Sequence, residues 1–168
     1  MAQTTRKRAA AVAVAVIAVA DLLLSRRAWS RPAIALLDEP AHAATTWLIA
    51  QALAPQHTPA AQLASTLLDA DHVPSELGSD VLRRGAARPF GHTGAAVVAL
   101  ALVSRGAALG AAAHLVRDLA DDVGVSLAWP LSGRAQRIPR GLYYALALTL
   151  AARAARPTGA PAPPRPAP

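Results

Sequence analysis

The chain has 168 residues, room for one domain, and is 54% hydrophobic with a mean hydropathy of +0.30 but only 4% aromatic. Its net charge of +7 arises from sixteen arginines and one lysine against ten acids. Cysteine is absent, which excludes a disulfide framework, a thiolate metal site and a cysteine nucleophile.

A pI near 11.4 is compatible with a nucleic-acid partner. The arginines, however, sit in small clusters flanking apolar runs: Arg6–Arg8, Arg26–Arg31, Arg83–Arg88 and Arg134–Arg140. That distribution suits anionic lipid headgroups and membrane topology and disfavours nucleic acid. The apolar mass is mostly alanine, so any span built from it is weak on a transfer scale.

Four apolar blocks follow in chain order. The first, "AAAVAVAVIAVADLLL" at 9–24, comes after the basic "TRKR" and begins like a signal peptide. The arginines of "SRRAWSRP" directly behind it disfavour export and cleavage, so it reads as an uncleaved membrane helix. Its apolar core covers roughly 24 Å, short of the ~30 Å of hydrocarbon, and needs its flanks to complete a span. Asp21 near its end is expected to face protein or headgroups. The second block spans 32–55; Pro40 is placed to start a helix over 40–53, with His42 in the first turn. A polar turn over 56–64 precedes a short helix over 60–70 that ends at "DADH", and residues 73–91 are loop-like, with prolines and glycines at 74, 78, 85, 89 and 91. The third block, 92–122, is broken by "SRG" at 104–106 into two helices. The fourth, 141–155, opens with a tyrosine pair expected to anchor at a membrane interface. The tail over 156–168 holds six of the fourteen prolines and is expected to be disordered or polyproline II.

Polar residues stand out against this background. His114 and Asp118 are i,i+4, as are Asp38 and His42 across a helix start; Asp69 and His72 are i,i+3 with Asp71 between them. Asp121 and Asp122 lie behind. His57, in the polar turn, reads as a surface residue. Ionisable groups in apolar helices cost several kcal/mol unless paired or bound to a cation. A divalent metal satisfies imidazoles and carboxylates together, and His/Asp donors without cysteine suit zinc, with manganese or iron as alternatives. No glycine-rich phosphate loop, G-x-S-x-G elbow or H-E-x-x-H helix is present.

Four pieces, "LDEPAHAAT", "LLDADHVPSELG", "ARPFGHTG" and "AAAHLVRDLADDVGVSLAWPLSGR", together resemble the bacterial membrane-bound metal-dependent hydrolases, some of them described as LexA-binding, over about residues 36–145. The resemblance implies an all-α, multi-pass inner-membrane bundle of four to five helices. It also implies a metal site distantly like those of zinc-dependent phospholipase C and P1-type nucleases. Carried over residue by residue, it nominates His42, Asp69, Asp71, His72, His92, His114 and Asp118, of which His42, Asp71, His92, His114 and Asp118 are read as the ligands. Asp69 or His72 would activate water or orient a ligand, and Arg88 would neutralise a phosphate. The expected activity is hydrolysis of a phosphoester, possibly lipid-linked. The chain departs from the pattern where Ala87 replaces its first histidine, Pro89 its glycine and Gly91 its threonine. Two other classes stay open at this point: a metal-binding membrane protein without chemistry, and a transport module.

Overall fold

A computed structural model describes residues 3–26, 29–76 and 88–157. The chain is all-helical: α1 (Gln3–Arg26), α2 (Arg31–Leu53), α3 (Thr58–Leu68), a single turn α4 (Val73–Glu76), α5 (Gly94–Val103), α6 (Arg105–Leu119) and α7 (Arg140–Ala154). Short 3-10 turns at Pro55–His57, Asp69–His72 and Phe90–His92 link them. The six longer helices exceed the four to five expected. Asp80, Ala87 and most of the proline-rich tail lie outside the described residues.

Local chemistry sets several boundaries. Ser104 ends α5 in an extended conformation, and its Oγ accepts a hydrogen bond from Ala107 N at 3.2 Å, so one residue closes a helix and caps the next. Thr93 caps α5 the same way through Ala96 N. The break at "SRG" is therefore real.

Pro40 does not start a helix; α2 begins at Arg31 and runs through it. An interior proline costs about 3 kcal/mol through a lost hydrogen bond and a ring clash. Here the ring is on the exposed face, and α2 is tied to its neighbours on both sides of it, by Asp38 to Arg117 and by Thr45 to Tyr143. The tyrosine pair is likewise not a simple interface anchor. Tyr143 is a fully buried core residue paired with Thr45, and the Tyr144 hydroxyl donates to Asp21.

The core lies between α1, α2, α6 and α7, with Ile17, Leu48 and Tyr143 set among alanines. Small residues bring backbones together most closely where α3 meets α6. A Cβ added at Gly110 would lie 2.1 Å from the Ala61 carbonyl oxygen. Gly110→Ala is therefore expected to lose about 1–3 kcal/mol by overpacking, read as a lower midpoint in denaturant.

α1 is 24 residues long, with a most apolar window of mean hydropathy 2.0, which makes it long and apolar enough to cross a membrane. At 1.5 Å per residue it covers about 36 Å, because the helix extends back beyond the apolar block. Among the described residues no other helix meets both criteria, so one candidate span stands where a multi-pass bundle was expected.

The helices alternate in direction, and the acids, though not the arginines, are sorted by end: Arg26, Arg88, Arg117 and Arg140 lie at the acidic end. Among the described residues every acidic side chain lies toward the end where α1, α3 and α6 finish. Arg6, Lys7, Arg8, Arg105, Arg153 and Arg156 occupy the other end, with no acid among them.

Candidate metal centre

Four elements deliver the site. His42 projects from α2. His114 and Asp118 share one face of α6. The 3-10 turn Asp69–His72, wound directly after α3, brings its acids inward, and the turn Phe90–His92 brings His92 across from the opposite side. All five residues nominated as ligands are brought into one cluster, together with Asp69 and His72.

Asp118 is at its centre. Its Oδ1 is 3.5 Å from His42 Nε2; its Oδ2 is 3.6 Å from both His92 Nε2 and His114 Nε2. Asp69 Oδ1 closes the other side, 3.2 Å from His92 Nε2 and 3.4 Å from His114 Nε2. The His42 and His114 rings stack with centroids 3.8 Å apart. Two sets of donor atoms, His42/His114/Asp118 and Asp69/His72/His92, each lie within 4.8 Å of one another, close enough to hold a metal ion.

The fit to a cation is tested by what these atoms lack. His92, His114 and Asp118 are essentially sealed from solvent. Yet His114 Nε2 and both Asp118 oxygens are buried without a hydrogen-bond partner. Buried polar atoms are almost always hydrogen-bonded. The Asp118 carboxylate has the Arg88 guanidinium 3.3 Å from Oδ1 to balance part of its charge, yet neither oxygen has a hydrogen bond. A divalent ion held by these donors satisfies them together. The residues present therefore fit a metal, and the nitrogen/oxygen donor set suits zinc without identifying it.

Asp71 sits at the flank rather than the centre. Its Oδ2 accepts from Gly91 N at 2.7 Å, and its Oδ1 lies 3.2 Å from His92 Nδ1, the ring atom facing away from Asp118. A Cβ at Gly91 would meet Asp71 Oδ2 at 2.4 Å, so a larger residue there would displace the carboxylate. Arg88 is braced by Asp121 at 2.6 Å and by the Gly124 carbonyl at 3.1 Å, and its Nη1 lies 3.3 Å from Asp118 Oδ1. Asp122 is exposed and makes only a long contact with Arg140.

Several residues were missed from sequence. Ser65 Oγ is 3.4 Å from His114 Nδ1 and accepts from Thr46 Oγ1 at 2.9 Å, a buried relay behind the imidazole. Glu39 reaches toward Thr66 and Asp69. The available signal was polar residues recurring inside apolar helices at the level of the histidines.

Electrostatics couple the site to protons. Burial disfavours a charged His92, but the Asp69 and Asp71 carboxylates outweigh it and push the imidazole up to about 9. Burial raises Asp69, while His114 and His92 pull it well below the usual carboxylate range. His72 is lowered, first by burial and then by the charge of His92. The sign for metal binding follows. Below about pH 9 the metal-free protein holds a proton on His92 that a metal must displace. Apparent affinity is therefore expected to rise about tenfold per pH unit from 7 toward 9 and then level off, measured by competition with a chromogenic chelator. An affinity independent of pH over that range would show that His92 is not a ligand.

The chain matches no family model, no curated protein and no solved structure, so the functional argument rests on this bundle and its cluster alone.

Proposed function

We propose that this protein is a membrane-bound, metal-dependent hydrolase of a phosphoester, with the buried His/Asp cluster as its centre and zinc as its ion. The observation that carries this reading is the set of buried, unpartnered donor atoms on His114 and Asp118 facing His42, His92 and Asp69. His42, His92, His114, Asp118 and Asp69 would hold the metal. Asp71 would orient His92 from behind, the kind of outer partner that sets tautomer and ring direction. When bound, the ion supplies Lewis-acid polarisation of a phosphoryl oxygen and acidifies a coordinated water. His72, a third exposed beside Asp69, is placed to take or return a proton at the open side. Arg88 is held by Asp121, the Gly124 carbonyl and Asp118, so it would have to exchange one of these partners to neutralise a phosphate.

The membrane setting is supported by α1, only 22% of whose apolar window is buried, unlike the core helix of a soluble protein. Val12 and Val19 on α1, Leu67 on α3, Leu102 on α5 and Leu148 on α7 are exposed on the outside of the bundle. The acid-free basic end matches anionic headgroups of an inner membrane. A lipid headgroup or lipid-linked phosphate fits that location.

Two measurements test the reading. The protein should stay with membranes through a carbonate wash, whereas a merely basic, surface-bound protein would be released. Detergent-purified protein should contain a divalent metal by elemental analysis and hydrolyse a chromogenic phosphodiester in a chelator-sensitive way. Bound metal without turnover on any phosphoester would make the cluster a structural metal site; no metal would sink the proposal.

A further inference from the structure

α6 carries Arg117 three residues after His114 and one before Asp118. The side chain is buried and reaches away from the metal centre. Its Nη2 donates to Asp21 Oδ1 on α1 and, at 2.6 Å, to Asp38 Oδ1 on α2; its Nε donates to the same Asp38 oxygen at 3.1 Å. The other oxygen of Asp38 lies 3.3 Å from His42 Nε2. The other oxygen of Asp21 accepts from the Tyr144 hydroxyl on α7. Tyr144, Asp21, Arg117, Asp38 and His42 thus form one partly buried chain across four helices, ending on an imidazole of the centre.

We infer that Arg117 is a positioning residue for the metal centre, and that Asp21 makes the N-terminal helix a permanent working part of it. The inference rests on the metal-centre reading above. Asp38 divides its two oxygens between Arg117 and His42, so it cannot rotate without releasing one of them. Arg117 shares a helix with two ligands, so the pull of Asp21 and Asp38 on its guanidinium also sets the rotation of α6 and the aim of His114 and Asp118. Only a planar fork with several fixed donors can serve carboxylates on two helices at once; a lysine ammonium offers a point charge instead. Removing α1, as signal cleavage would, leaves the guanidinium buried with half its partners and the Tyr144 hydroxyl without its acceptor. A buried ion pair is weak evidence for stability but strong evidence for a fixed geometry. Asp38 meets His42 at Nε2, so for Asp38 to hold the proton there His42 would have to bind a metal through Nδ1, which is buried and without a partner. An outer partner of that kind typically governs metal affinity by 10–100-fold.

The test uses the full chain in detergent, stripped by chelator and titrated with Co²⁺ as the probe. Arg117→Lys and the milder Asp21→Asn are expected to weaken Co²⁺ binding about 10–100-fold and to change the visible ligand-field bands. The thermal midpoint of each chelated variant is measured separately, and intact mass of metal-loaded protein from membranes should include α1. Variants that melt earlier in chelator yet bind Co²⁺ with wild-type affinity and spectrum would reduce the chain to interhelical glue and overturn the inference. So would metal-loaded protein lacking α1. If Arg117→Lys does not fold, Asp21→Asn decides alone. Wild-type protein that takes up no Co²⁺ would instead remove the metal-centre reading, and this inference with it.

Discussion

Asp118→Asn is expected to leave the purified protein without metal and indifferent to chelator. Asp118 is 1% exposed, touches three imidazoles and carries two oxygens with no hydrogen-bond partner. A metal present at a thousand times its dissociation constant stabilises the folded state by about 4 kcal/mol. For a chain of this size that corresponds to about 10 °C in melting midpoint. Wild-type protein should lose that increment when chelator is added, whereas the variant should start without it. His114→Ala should behave similarly, and the double variant should be less damaged than the sum. His114→Ala leaves the Asp118 carboxylate in a dry site balanced only in part by Arg88, and Asp118→Asn removes that charge. Coupling of about 0.5–3 kcal/mol is expected for residues sharing one network. Additive losses that ignore chelator would mean that Asp118 serves only as a partner for Arg88.

The second large effect separates two acids two positions apart. Asp69→Ala is expected to cost more than 100-fold in metal affinity, and Asp71→Ala about 10–100-fold, the range for a residue acting through a ligand. Asp69 Oδ1 faces His92 and His114 together, whereas Asp71 engages the Gly91 amide and the far nitrogen of His92. This proposed order differs from the expectation from sequence, which placed Asp71 on the metal and had Asp69 or His72 activate water or orient a ligand. Affinity by competition in detergent measures both. Equal losses would restore Asp71 as a direct ligand, and a larger loss at Asp71 would invert the assignment.

The different contacts of Asp69 and Asp71 show where local reading stops. In a 3-10 turn successive side chains are about 120° apart, so which acid of "DADH" faces inward depends on how α3 docks. That docking is decided by contacts with α6, where Gly110 lets the backbones meet, and these are distant in sequence. Asp21 illustrates the same limit. Its need for a protein partner was evident from an acid at the end of an apolar run, but the partner, Arg117, is 96 positions away.

The sequence by itself determined the helical class, the division of the third block at Ser104 and the placement of the C-terminal helix, and it singled out histidines and acids that the fold brings close enough to hold a metal ion. Each of these follows from short-range physics: apolar periodicity, side-chain caps, and the cost of histidines and carboxylates in an apolar setting. The tertiary structure alone decided that α2 runs through Pro40, that Tyr143 is core, that Asp69 faces the centre and that Arg117 joins the N-terminal helix to His42. Those outcomes depend on contacts between residues far apart in sequence, whose packing and hydrogen bonds override local preference and appear only once the helices have docked.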